Sequence, residues 1–186
     1  LFDFESLFSD DNTAKMTVTR QQAQRVEDRR RDIYESHRHR TFALAFYMTG
    51  NEMEAENILT DTFITAFSAA GEPSAQDVDS ALVGELRERF PLGDHESLTS
   101  QEYAVAGSAD LSQRNVRRND LEDAIQTLPA QERLLFLLRD VEGYTPAAIS
   151  ELMKIPEAQV NRSLLSARIR LRRALAEGQD DRSEAA

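Results

Sequence analysis

Residues 143–175 read Gly143-Tyr-Thr-Pro-Ala-Ala-Ile-Ser-Glu-Leu-Met-Lys-Ile-Pro-Glu-Ala-Gln-Val-Asn-Arg-Ser-Leu-Leu-Ser-Ala-Arg-Ile-Arg-Leu-Arg-Arg-Ala-Leu175. They predict a short helix, a tight turn and a longer helix that becomes strongly basic. Thr145 can cap the first helix with Pro146 at its first position, where a missing N–H costs nothing. Ile149, Leu152 and Met153 give that helix one apolar face. Lys154-Ile155-Pro156 breaks it, and Pro156 suits the start of the next helix. There Val160, Leu164, Ala167, Leu171 and Ala174/Leu175 recur at alternating four- and three-residue steps, one buried stripe. The pattern is that of a helix-turn-helix whose second helix meets phosphates and base edges.

A plainer reading of the same residues is an amphipathic hairpin with a solvated basic face. Charge contrast argues for DNA instead. Residues 154–173 carry six Lys/Arg against one acidic side chain, in a chain of net charge −11. A basic helix kept inside an acidic protein points to a polyanion partner for that helix.

Composition bounds the rest. The chain has 186 residues and no cysteine, so neither a disulfide framework nor a thiolate metal site is available. His37, His39 and His95 have no zinc-like spacing. No apolar run approaches the ~20 residues of a membrane span, and no signal peptide is visible. A soluble, cytoplasmic protein without membrane insertion is expected. No Gly-rich phosphate loop or catalytic constellation occurs, so neither an enzyme nor a bound cofactor is expected.

The expected architecture is all-α, in two small helical domains. Residues 1–24 form an acidic-aromatic extension, 25–90 a helical domain, 91–118 a linker, 119–176 the helix-turn-helix domain and 177–186 an acidic tail. The linker assignment rests on Gly, Ser, Asp and Gln without periodicity. Charge divides unevenly: residues 41–110 hold thirteen acidic side chains and two basic ones. In the first domain, Asn51 with Glu54 three residues on forms a capping-box pattern. Ala55, Ile58, Leu59, Thr62, Phe63, Ala66 and Phe67 then line one helical face, with Glu56, Asn57, Thr60 and Asp61 off it. Ile33, His37, Thr41, Leu44, Ala45 and Met48 mark a preceding helix that ends at Thr49-Gly50-Asn51. A helical bundle with a merely solubilising acidic surface would give the same pattern.

Taken together, the two halves resemble the extracytoplasmic-function (ECF) subfamily of bacterial sigma factors. Arg40 through Phe67 looks like sigma region 2. Leu121 through Leu175 looks like region 4, with Leu128-Pro129-x-x-Glu132-Arg133, Gly143, Ile149, Ile155-Pro156, Val160 and Ala167-Arg168 in the family's positions. The resemblance implies core RNA polymerase and promoter DNA as partners, and leaves room for an anti-sigma factor. It implies polymerase docking through Glu56, Asn57, Thr60 and Asp61, and reading of the −35 element by region 4. Helical projection gives Ala158, Gln159, Asn161, Arg162, Leu165, Ser166 and Ile169 as the non-core face. Gln159, Asn161 and Arg162 can then reach base edges, while Lys154, Arg168, Arg172 and Arg173 hold phosphates.

Three departures from the family pattern stand out. After region 2's second helix, the family carries a Trp-containing segment and a basic helix that open the −10 element, as single-strand stacking requires. This chain has no Trp, and residues 72–96 hold seven acidic side chains against Arg87 and Arg89. Leu165 and Ile169 lie on the expected DNA face, where they can pack a thymine methyl or a protein. Leu1–Asp11 interleaves Phe and acidic residues, which fits an unstructured tail or a segment folding onto a basic groove. Two functions of different class follow: a promoter-reading sigma factor, or a sigma-like decoy or adaptor that binds polymerase or an anti-sigma factor without opening promoters.

Overall fold

The structure is a computed structural model that describes residues 6–68, 72–93, 98 and 116–184. Among these residues it is all-α, with no strand. The helices are α1 (Ser6–Thr49), α2 (Glu52–Ser68), α3 (Ala75–Arg89), α4 (Arg118–Thr127), α5 (Ala130–Phe136), α6 (Pro146–Met153) and α7 (Glu157–Glu184). A π-helical turn, Leu137–Val141, continues α5. Residues 1–5 of the Leu1–Asp11 segment, and the 91–118 stretch apart from 91–93, 98 and 116–118, lie outside the described residues, and of 6–11 the helical backbone is described. Helix α1 runs without a break through residue 24, and α7 continues past 176.

Local chemistry sets the helix ends. Gly50 closes α1 with φ +66°, a conformation that costs L-residues with a Cβ roughly 1–2 kcal/mol. Asn51 Oδ1 accepts the Glu54 N–H at 3.1 Å and caps α2, but the Asn51 N–H donates to Thr49 Oγ1 at 3.1 Å, so only one half of the expected capping box forms. Helix α3 begins with a full capping box: Ser74 Oγ accepts the Asp77 N–H while Asp77 returns to the Ser74 N–H at 2.8 Å.

Helices α1, α2 and α3 pack as one bundle, with Ile33, Phe63, Ala66, Val78 and Ala81 at one end of it. Helices α4 and α7 share Ala124, Ile125, Leu128, Ala167 and Leu171. The largest apolar cluster crosses between the halves. It joins Leu44 and Met48 of α1 and Leu82, Val83 and Leu86 of α3 to Leu134, Leu135, Leu137 and Leu138, with Ile149 and Met153 of α6. Burying a side chain of this size contributes about 1.5–3 kcal/mol. The two helical units that composition sets apart therefore share a core.

Polar contacts reinforce that joint. Arg133 donates to the carbonyls of Met48 (2.7 Å) and Leu128 (3.0 Å), and Gln126 Nε2 donates to the Tyr47 carbonyl at 2.8 Å. The Met48 and Tyr47 carbonyls lie in the last turn of α1 and have no partner inside their own helix. Burial pulls the Arg133 guanidinium below its usual value. Arg87 of α3 donates to the Met153 carbonyl at the end of α6.

Candidate nucleic-acid interface

The α6–α7 hairpin is built as its sequence predicts. Thr145 Oγ1 accepts the Ala148 N–H at 3.2 Å with Pro146 in the first turn. Lys154 ends α6 in the left-handed region (φ 53°, ψ 43°). Ser150 Oγ donates to the Ile155 carbonyl at 2.7 Å, and the Ile155 N–H donates back to the Ser150 carbonyl at 3.2 Å. The turn is thus closed from both sides and fixes the angle at which α7 leaves. Val160, Leu164, Ala167 and Leu171 are buried, the stripe read from the sequence.

The residues expected to meet DNA do not all share one surface. Lys154, Asn161, Arg162, Leu165, Arg168, Arg172 and Arg173 are exposed, and Gln159 is half-buried. Ser166 departs from expectation. It is only 7% exposed, and its hydroxyl donates to Glu132 Oε1 at 2.7 Å. Helix α5 covers that flank of α7, so Ser166 ties the two helices together and does not face solvent.

Charge on the arginines is also partly spent inside the protein. Arg168 binds Asp140 through Nε (3.1 Å) and Nη2 (2.7 Å), and the Asp140 hydrogen bond raises its pKa above the usual value. Arg170 lies 3.3 Å from the buried Glu132 carboxylate, and Arg173 meets Glu177 at 2.6 Å. Among the described residues, Lys154, Arg162 and Arg172 have no carboxylate within ion-pair distance. Arg162 makes only a 3.4 Å contact to the Ala158 carbonyl. The open cationic face is therefore Lys154, Arg162 and Arg172, with Asn161 and a 51%-exposed Leu165 between them.

On α2, Glu56, Asn57 and Thr60 are exposed. Asp61 is half-buried and accepts from Arg89 Nη2 of α3 at 2.7 Å, so its charge is already engaged. Sequence reading missed Met53 and Ile64, which are 73% and 63% exposed. With Asn57 and Thr60 they form an i, i+4, i+7, i+11 row, so the open face of α2 is polar in the middle and apolar at both ends.

Helix α3 goes beyond the sequence expectations, and three of its four acidic residues bond within the fold. Asp77 is in the capping box, and Glu85 binds Arg89 at 2.7 Å. Asp79 accepts from Arg40 Nη1 at 2.8 Å and from the Tyr144 hydroxyl. Arg40 also reaches the Tyr144 hydroxyl and Glu142. Burial and the Asp79 bond push the Tyr144 phenol up to about 12. Among the described residues no cluster of three or more His, Asp or Glu side chains could hold a metal, and no helix is long and apolar enough to cross a membrane.

The family model for sigma-70, region 4 matches residues 118–176. Among solved structures, the chain is similar to the sigma factor RpoE of Bartonella quintana, determined in complex with the anti-sigma factor NepR. Identity is 17%, the match covers 78% of this chain and 95% of that one, and the TM-score is 0.56, a likeness of fold. No curated protein sequence matches the chain.

Proposed function

We propose that the protein is an ECF-type sigma factor, because residues 118–176 match the family model for sigma-70, region 4. In this reading it binds core RNA polymerase and directs promoter-specific initiation, with α7 on the −35 element. The observation that carries the proposal is the open face of α7 in a turn-closed helix-turn-helix: Asn161 and Arg162 beside Lys154 and Arg172, without internal carboxylate partners among the described residues. Arg162 is exposed at the N-terminal part of α7, where side chains of a recognition helix reach base edges. Its fork suits a guanine edge, and Asn161 suits adenine. Lys154 and Arg172 hold backbone phosphates. Arg168 joins them if DNA displaces Asp140.

The N-terminal bundle acts as region 2, docking on polymerase through Met53, Glu56, Asn57, Thr60 and Ile64 of α2. The exposed Met53 and Ile64 side chains suit a protein partner better than nucleic acid, since methionine is enriched and charge depleted where protein surfaces meet. An anti-sigma factor is a further partner of this class, since the similar RpoE was solved with one.

One observation favours the second reading, a sigma-like decoy or adaptor. Helix α3 is acidic and bonded across to the C-terminal half through Asp79 and Arg87, rather than offering a basic groove to a melted strand. The substitution Arg162→Glu separates the two. A sigma factor loses promoter-duplex binding while retaining core polymerase. Promoter affinity unchanged by this reversal removes α7 from the readout and favours the adaptor.

A further inference from the structure

Between residues 19 and 32, helix α1 packs against almost nothing. Only Val26 and Arg30 are even partly covered, and burial resumes at Ile33. These 14 residues form about 21 Å of helix at 1.5 Å per residue. Residues 19–32 hold five arginines, Arg20, Arg25, Arg29, Arg30 and Arg31, against Glu27, Asp28 and Asp32. Arg30 belongs to the fold: its Nη2 donates to the Phe67 carbonyl at 3.0 Å and its guanidinium lies over the Phe67 ring. Among the described residues, the other four have no carboxylate within ion-pair distance.

We propose that this exposed segment of α1 is a second DNA-binding surface, with Arg20, Arg25, Arg29 and Arg31 on backbone phosphates of duplex DNA. Four features support that occupant. The segment carries a net charge of +2 in a chain of net charge −11, so, like α7, it is a local basic stretch on an acidic background. Its cations are all arginine, which pairs bidentately with phosphate. At 100° per residue, Arg20 and Arg31 fall on one side of the helix and Arg25 and Arg29 on another. A helix lying in a groove needs cations on both flanks, and the B-form major groove, about 12 Å wide, admits one. The deep, narrow groove of A-form RNA does not. A membrane surface fits less well, because Ala23 and Val26 are the only apolar residues in 19–32 and give no face to insert. The surface is distinct from α7 and its assignment does not rest on the role of α7.

The test uses the full chain and a random-sequence duplex, with affinity followed by fluorescence anisotropy across a salt titration. Four phosphate contacts contribute about 3.6 to the log–log salt slope at 0.9 each. Replacing Arg20, Arg25, Arg29 and Arg31 with Gln is expected to lower the slope by roughly that amount and weaken low-salt binding at least tenfold. The corresponding Lys variant is expected to keep most of both. Replacing Arg162 and Arg172 with Gln gives a separate loss, so failure of one surface is told from failure of the other. Circular dichroism on each variant checks that α1 stays helical. An unchanged slope in the Gln variant overturns the proposal, as does a Lys variant that loses as much as the Gln one. Wild-type binding to phosphatidylglycerol vesicles with none to the duplex overturns it in favour of a membrane.

Discussion

Arg40 of α1 and Glu142, beyond the π-helical turn, stand 102 positions apart in sequence and meet at 2.5 Å. The same guanidinium binds Asp79 and lies over the Tyr144 ring, 5.2 Å from its centroid. Burial alone lowers the Arg40 pKa, but the Asp79 and Glu142 bonds outweigh it and hold the cation above its usual value. Replacing Arg40 with Met leaves two mostly buried carboxylates without their shared cation. A loss of about 2–4 kcal/mol is expected, because an unpaired buried charge costs more than the pair contributes. Urea unfolding of Arg40→Met measures it, and a change under ~0.5 kcal/mol would show the network to be incidental.

Tyr144 gives that network a pH signature. Its folded pKa is raised to about 12, against an ordinary value of 10.0. The native state therefore holds the phenolic proton more tightly than the unfolded chain does. The resulting stability is fully present below pH ~10 and disappears as pH rises through ~12. Tyr144→Phe is expected to be less stable at neutral pH and to show a flatter decline of Tm between pH 10 and 12. Ultraviolet titration of the chain's four tyrosines should show one ionising late, and only in the variant that retains Tyr144.

Two glycines separate backbone strain from packing. Gly50 (φ +66°) and Gly143 (φ +78°) both adopt left-handed conformations. A Cβ at Gly50 would sit 3.3 Å from Gln126 Oε1, whereas one at Gly143 meets nothing within 4 Å. Gly143→Ala is expected to cost roughly 1–2 kcal/mol from the backbone alone. Gly50→Ala is expected to cost more, because Gln126 must give way and with it the bond to the Tyr47 carbonyl. Chemical denaturation of both variants decides it, and equal losses would mean that Gln126 moves freely.

Asp140 holds one arginine of the proposed DNA face. Its carboxylate occupies Arg168, which is 52% exposed and otherwise available to a phosphate. Asp140→Asn is expected to strengthen promoter-duplex binding several-fold and to steepen its salt slope by about 0.9, one added phosphate contact. Ser166→Ala is expected to do the opposite kind of thing. It removes the hydroxyl from buried Glu132, costs about 1–3 kcal/mol of stability and leaves duplex affinity unchanged where the protein is folded. A Ser166→Ala variant with normal stability and weak DNA binding would return this residue to the interface.

Local structure was legible where short-range chemistry decides it. The Thr145-Pro146 cap, the Asn51 cap and the Val160–Leu164–Ala167–Leu171 stripe all follow from spacing, and all are present. Helix α3 was legible too, in Ser74–Asp77 and in Val78, Ala81, Leu82, Glu85 and Leu86 at helical intervals, but its acidic content drew attention to charge instead. Ser166 was not legible. A helical projection gives its angle from the buried stripe but not that α5 covers that flank. The joint between the halves left no local trace either. Arg40, Asp79, Glu142 and Tyr144 come from separate stretches, and only the folded chain brings them together.

The proposed sigma-factor role requires the protein to direct initiation at particular promoters. Genome-wide run-off transcription with the host's core polymerase, with and without the protein, tests it most directly. New start sites that share an upstream motif and disappear with Arg162→Glu are expected. No new start sites, with core polymerase binding verified in the same reaction, would contradict it and leave the sigma-like adaptor as the working description.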